Sequence, residues 1–561
     1  MSVISTIKTD CKDCYKCVRS CPMKAIQINE GRARIVEERC INDGKCIHVC
    51  PQGAKQVRKT DLEQVRQWLA SGERIAVSLA PSYPVGIKFD TTCEIVLILR
   101  KLGFSYIQET AWAAEYVAKQ YLDLLKDDRP LPLLTSCCPV IVDLVEKHYP
   151  HLIDHLAPVL SPMALHGRML KEKFERVVFI GPCIAKKEEM EQPGVKGQID
   201  AVLTFKELQE LIEEAGVLSK EVGAVEFDGE KPNVARLFPV GGGLLKTAGF
   251  STDLLADKFL SVTGLEEVIE VLKDFSRWDY LQLIEMMACK GGCIGGVGIA
   301  TSITLLERRQ KLLKLQQVRK ENKKKLSSLN FSVKRNFYPR MGTYKIPSEE
   351  EIRTILSKIG KTSSEDELNC GSCGYDSCRE KAIAVYNGLA ELEMCLPYMR
   401  SRAESMSNLI IRSTPSGIIV TDNQLKIVEI NPAAEKMFKV SCQQVKGREL
   451  STIIDDTLFK EVALKKELIT RLIKYSDSLI VRQYIFYVDK HDLIIGIFYD
   501  VTREEKQKDE FDKMREETFK KAQEVIDKQM RVAQEIAGLL GETTAETKVT
   551  LTKLMDLMKK K

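Results

Sequence analysis

The chain has 561 residues, 44% of them apolar and 29% charged, with a formal net charge of +5. That length and balance exclude a disordered chain and call for several domains, and so mild a charge argues against a nucleic-acid-binding surface. Eighteen cysteines, with no signal-peptide pattern and no apolar run of membrane-spanning length, point to metal ligation in a reducing cytoplasm and not to a disulfide framework.

The first 58 residues carry two cysteine runs. Cys11, Cys14, Cys17 and Cys21-Pro22 form a C-x2-C-x2-C-x3-C-P run that resembles bacterial two-cluster ferredoxins. The resemblance implies that Cys11, Cys14 and Cys17 share one cluster with Cys50, and that Cys21 joins Cys40 and Cys46 at the other. The second run keeps the spacing but places Asp43 where its second thiolate belongs. A carboxylate is a harder ligand than a thiolate, so this corner is open to three readings: oxygen ligation, a three-iron cluster, or a plain turn residue beside Gly44.

Residues 59–335 alternate apolar, β-branched runs (74–81, 131–137, 177–183, 199–205) with helical patterns such as 205–216, and an α/β domain is expected. Three cysteine segments lie within it: TSCCPV at 135–140, GPCIAKK at 181–187 and EMMACKGGC at 285–293. The first two begin where an apolar strand should end, the place where α/β folds hold ligands. A basic run at 308–325 has leucines at helical spacing and reads as a solvated helix.

These three segments, in this order, resemble the signature motifs of [FeFe]-hydrogenases. The resemblance covers residues 1–330 and implies an H-cluster. Cys138, Cys183, Cys289 and Cys293 would hold a [4Fe-4S] cubane, with Cys293 bridging to a di-iron subcluster that carries CO, CN⁻ and a dithiolate. It further implies that Ser82, Pro81 and Lys186 contact the di-iron unit, that Met287 supplies a pocket thioether, and that Cys137 is the proton-relay thiol. A thiol of ordinary pKa, about 8.5, suits a reversible shuttle. The rest of the relay departs from the family. Tyr121 and Leu124 stand where two glutamates are usual, Ala157 where a serine is usual, Gly181 in place of a methionine and Met163 in place of a glutamine. Slow or biased turnover is expected, with protons leaving by water or another carboxylate.

Residues 336–402 contain Cys370, Cys373, Cys378 and Cys395 in a C-x2-C-x4-C-x16-C spacing that is similar to small helical [4Fe-4S] domains, with four-cysteine zinc as the alternative. With SGIIVTDNQLKIVEINPAAEKMF at 416–438, a VKGREL turn at 445–450 and alternating strands ending in IIGIFYDVT at 494–502, residues 403–503 resemble a PAS sensory domain. Within it His491 is expected to be exposed, and Cys442, like Cys93 earlier in the chain, has no partner motif. Residues 504–561 read as a charged helix with a narrow seam of Phe519, Ala522, Ile526, Gln529, Ala533, Ile536 and Leu540, suited to a two-stranded coil.

The expectation is therefore a multidomain α/β (α+β) protein: ferredoxin-like module, H-cluster domain, small helical iron–sulfur domain, PAS domain and terminal helix. The resemblance implies reversible cleavage of H2 and reporting on hydrogen or redox state through the PAS domain. Its implied partners are H2 and protons, a ferredoxin-type or other electron carrier, maturation proteins, a second copy through the PAS domain and terminal helix, and an unnamed signalling partner. The alternatives are a metabolic ferredoxin-linked hydrogenase and a non-catalytic iron–sulfur redox sensor.

Overall fold

A computed structural model describes residues 3–7, 10–89, 92–127, 129–217, 225–251, 257–318, 326, 329, 331–539, 549–550 and 552–553. The end of the basic run, 319–325, and Leu540 of the terminal seam lie outside the described residues, as does the side chain of Cys93. Residues 1–399 and 400–561 form separate compact units.

In the first unit the N-terminal module pairs strand Ile4–Thr6 antiparallel with Lys55–Val57 and folds a hairpin from Ile26–Asn29 and Arg32–Ile35. Its helices Lys16–Ser20 and Lys45–Val49 each follow a left-handed residue, Tyr15 at φ 54° and Gly44 at φ 74°. Cys14 and Asp43, each immediately before that residue, occupy corresponding turns.

Two parallel sheets build the central domain. The larger runs in the order Tyr106–Glu109, Ile75–Leu79, Arg176–Gly181, Ala201–Thr204, and the smaller in the order Phe259–Thr263, Leu283–Met287, Leu133–Leu134. The central strands Ile75–Leu79 and Leu283–Met287 are buried along their whole length, as strands covered on both faces must be. Strand Leu133–Leu134 is shorter than its apolar run suggests, because Pro130 and Pro132 cannot donate to a ladder. The helical pattern at 205–216 forms Phe205–Glu214, started by a capping box between Thr204 and Glu207.

The four-cysteine region packs helix Glu349–Lys358 against Cys378–Tyr386 around Ile352, Leu356, Ala382 and Cys395. It docks on the N-terminal module through Ile28 N–H to Leu389 O (2.9 Å) and Lys24 Nζ to Gly374 O (2.8 Å). Gly374 is required there, since a Cβ would lie 3.0 Å from Val18 Cγ1 and 3.1 Å from the Arg19 nitrogen, and its φ is +95°. One apolar core runs through this module, the N-terminal module and helix Pro139–His148.

The second unit holds a five-stranded antiparallel sheet in the order Ile427–Ile430, Gly417–Asp422, Leu493–Asp500, Leu479–Val488, Ile469–Ser476. Helices Pro432–Phe438, Cys442–Val445 and Thr457–Lys465 accompany it, over a core that includes Ile419, Phe459, Ile485 and Phe498. His491 is exposed, as its turn position predicts. Helix Thr502–Leu539 follows, with Phe519, Ile526 and Ala533 of the expected seam half-buried and Ile536 exposed.

Candidate active site

The two parallel sheets supply the site from the carboxyl ends of four strands. Ile75–Leu79 leads into 80–82, Leu133–Leu134 into 135–138, Arg176–Gly181 into 182–186, and Leu283–Met287 into 288–293. Ligand positions at carboxyl strand ends are the rule in α/β folds. Backbone bonds lock these segments to one another: Ala80 N–H reaches Ile180 O (2.8 Å), Thr135 N–H reaches Ile284 O (3.1 Å), and Gly298 N–H reaches Pro182 O (2.9 Å). Thr135 Oγ1 also accepts the Met286 N–H at 3.0 Å.

Between them lies a mainly apolar cavity of about 90 Å³, well above the roughly 10–15 Å³ that one water needs. Pro81, Ser82, Cys137, Cys138, Cys183, Lys186, Met287 and Cys293 all line it, with Met163, Phe179, Phe238 and Glu285. The sequence motifs thus converge, although 80 and 293 are far apart in the chain. Cys289 stands behind, close enough to Cys183, Cys138 and Cys293 for their charges to act on it. Burial, and then this mutual proximity, raises the thiols of Cys183 (to about 12), Cys289 and Cys293. Three thiols so raised are stable as thiolates only when bound to metal.

Ser82 Oγ is buried against the cavity and, among the described residues, has no hydrogen-bond partner. A buried hydroxyl left unpaired is costly, so it calls for an acceptor inside the cavity. Lys186 Nζ donates to Cys137 O at 3.3 Å and to Glu189 Oε2 at 2.5 Å, and Glu189 Oε1 takes Arg335 Nη1 at 2.8 Å. Burial alone pushes Glu189 up, but Lys186 and Arg335 outweigh it and hold its carboxyl below the usual range. Gly181 has no room for the family's methionine, because the Phe179 ring stands 2.6 Å from where its Cβ would be.

Cys137 departs from the expectation of an ordinary thiol. Burial pushes it up to about 12, against a lowering by the Tyr121 hydroxyl 3.5 Å away, so at neutral pH it rests as the thiol. Tyr121 and the Ser136 backbone form a contact that the sequence did not announce: Ser136 N–H donates to the Tyr121 hydroxyl at 3.0 Å. Leu124 and Ala157 are buried in the same apolar cluster as Tyr121, so neither supplies a polar group there.

Among the described residues no three His, Cys, Asp or Glu side chains close on one point as a lone ion requires; the accessory cysteines are grouped by which side chains act on one another. Cys21, Cys40, Asp43 and Cys46 form one such group, and Cys17 is acted on by Cys11 and Cys14. At Cys50 burial pushes the thiol up, but the N–H groups of Gln52, Lys55 and Ala54 outweigh it. Asp43 is pushed up by burial and acts on Cys289, which places this corner beside the central cysteines. In the third group Cys373, Cys378 and Cys395 act on the buried ammonium of Lys381, with Cys370 exposed.

Residues 73–297 match the family described as "Iron only hydrogenase large subunit, C-terminal domain". Residues 4–65 match a 4Fe-4S dicluster domain, 366–397 an Fe-S cluster family and 406–494 the PAS fold. The chain is 30% identical over 283 residues to the periplasmic [Fe] hydrogenase large subunit of Nitratidesulfovibrio vulgaris, covering 41% of this chain and 67% of that one. It is 27% identical over 366 residues to iron hydrogenase 1 of Clostridium pasteurianum, covering 52% of this chain and 64% of the relative. It is also 24% identical over 332 residues to cytosolic iron-sulfur assembly component 3 of Rattus norvegicus, covering 46% and 69%. The chain therefore spans about two thirds of the length of the curated relatives it matches. No helix among the described residues is long and apolar enough to cross a membrane.

Proposed function

Because the chain belongs to the iron-only hydrogenase family, we propose that it cleaves and forms dihydrogen, H2 = 2H⁺ + 2e⁻, at an H-cluster in the cavity between its two parallel sheets. Cys138, Cys183, Cys289 and Cys293 would hold the cubane, and Ser82, Pro81, Lys186 and Met287 would face the di-iron unit. When bound, that group supplies the heterolytic cleavage itself. The chain's residues hold it, exclude water with an apolar wall, and place a thiol, Cys137, to pass protons. The observation that carries this reading is Ser82 Oγ, buried without a partner in an apolar cavity ringed by cysteines.

Electrons would pass from Cys289 to the cluster at Cys21, Cys40, Asp43 and Cys46, and on to clusters at Cys11, Cys14, Cys17 and Cys50 and at Cys370, Cys373, Cys378 and Cys395. The proximity of Asp43 to Cys289 supports the first of these steps. The closed relay at Tyr121, Leu124 and Ala157 favours slow turnover and a reporting role through the PAS domain, in a cytoplasmic dimer with a signalling partner; a ferredoxin-linked metabolic enzyme needs a fast path. Hydrogen turnover of the anaerobically matured protein tests this. Slow turnover with a hydrogen-dependent change in self-association or partner binding supports reporting, and fast ferredoxin-coupled turnover refutes it.

A second reading, a non-catalytic iron–sulfur protein, is favoured by the likeness to the assembly component. The cavity and the Ser82 hydroxyl speak against it, since a protein with no ligand there has no use for an unpaired buried donor.

A further inference from the structure

The cavity needs a route for protons, and the positions where the family's outer relay is expected hold Tyr121, Leu124 and Ala157. Glu285 is a further ionisable group at the cavity. It lines the cavity, is 1% exposed, and acts electrostatically on Cys137. Its Oε1 accepts the Leu244 N–H at 3.0 Å, and its Oε2 accepts the Gly242 N–H at 2.7 Å and the Ser261 hydroxyl at 2.9 Å. Ser261 is exposed on the adjacent strand, in register with Glu285. The loop that supplies the two N–H groups presses close: a Cβ on Gly241 would lie 2.6 Å from Thr263 Cγ2, and one on Gly243 2.0 Å from Leu237 O.

We propose that Glu285 and Ser261 carry protons between the cavity and solvent in this chain. The inference rests on the hydrogenase reading of the cavity. In proton uptake, a hydronium ion at the surface protonates the Ser261 oxygen and becomes water as the Ser261 hydroxyl proton passes to the Glu285 carboxylate; the resulting carboxylic acid turns, gives that proton up to the cavity side and returns to the carboxylate. Release runs in reverse, one proton at a time, and no electron moves along this path. Burial, opposed by the three hydrogen bonds, raises the Glu285 carboxyl to about 7, the range in which a carboxyl both takes and gives a proton at neutral pH. A second polar chain also leaves the cavity, from Thr110 through Ser78 and His166 to Gln108, but it ends on an amide, which relays protons poorly.

The test uses full-length, anaerobically matured protein with Ser261→Ala, Ser261→Thr and Glu285→Gln. Ser261→Ala does not remove either backbone donor to Glu285, and Ser261→Thr keeps the hydroxyl as a control for folding. With CO and CN⁻ infrared bands unchanged, it should lower hydrogen turnover about tenfold or more and raise the solvent isotope effect, and Ser261→Thr should restore both. In protein lacking the di-iron unit, infrared pH-difference spectra should show a carboxyl C=O band that titrates near pH 7 and vanishes in Glu285→Gln. Wild-type turnover in Ser261→Ala, or no such Glu285-dependent band, would overturn the proposal. Absence of CO and CN⁻ bands in the matured wild type would instead overturn the hydrogenase reading, and this role with it, even with the carboxyl band present.

Discussion

The Tyr121 hydroxyl stands 3.5 Å from Cys137 Sγ while accepting the Ser136 N–H at 3.0 Å, so the residue that stands where the sequence leads one to expect a glutamate contacts the Cys137 thiol. Burial keeps Tyr121 from ionising at any physiological pH. It holds the thiol segment through the Ser136 backbone. Tyr121→Phe should cost about 1–3 kcal/mol of stability in anaerobic denaturant melts, because the buried Ser136 N–H loses its acceptor. It should also raise the Cys137 pKa further, since the tyrosine hydrogen bond lowers it. An unchanged melt would show that the contact carries no weight.

Cys137→Ala should lower turnover by on the order of 10²-fold or more while the four cluster cysteines, and so the CO and CN⁻ bands, remain. Comparing rates at matched cluster content checks this; full activity with intact bands would remove Cys137 from the path.

Ser82→Ala separates a structural hydroxyl from a ligand-facing one. Its Oγ has no protein partner, so in protein without the di-iron unit the substitution should leave stability unchanged or slightly raised. In matured protein the CN⁻ bands should shift. A loss of stability in the apoprotein with no band shift would place its role in the fold.

Glu189→Gln should destabilise the protein by about 3–5 kcal/mol, since it leaves the buried cations of Lys186 and Arg335 without their counter-charge. The Glu189 carboxyl is held below its ordinary value of 4.5. Its stabilisation is therefore present above that value and is lost as pH falls through the lower folded value. The gap between wild type and Glu189→Gln should narrow on acidification below 4.5, which melts across acidic pH will measure; a constant gap would contradict the ion-pair account.

Asp43→Cys tests the odd corner of the second cluster. If Asp43 is an iron ligand, oxidised wild type should lose that iron readily and show a three-iron electron paramagnetic resonance signal, which the cysteine variant suppresses. The same spectra in both proteins would leave Asp43 as a turn residue.

The cysteine groups were legible because a cluster dictates local spacing, and runs such as Cys11 to Cys21 record it in the chain. Ser82, Lys186 and Met287 were legible only through the family resemblance, since a single serine, lysine or methionine carries no spacing of its own; the fold brings all three to one cavity. The Tyr121–Cys137 contact was not legible, because it joins a helix to the loop after a short strand and depends on how the two pack. Glu285 left a faint trace as a carboxylate inside the apolar strand Leu283–Met287. Its partners, Ser261 and the 242–244 loop, follow from which strand lies beside which, and apolar pattern alone does not fix strand order in a parallel sheet. The raised pKa of Cys137 was missed for the same reason, since the depth of a thiol is a property of packing.

The most direct test is infrared spectroscopy of the anaerobically matured protein under hydrogen and under argon. The account predicts CO and CN⁻ bands that shift between the two gases. A protein with its iron–sulfur clusters in place but no such bands would contradict it and leave an electron-transfer protein in its stead.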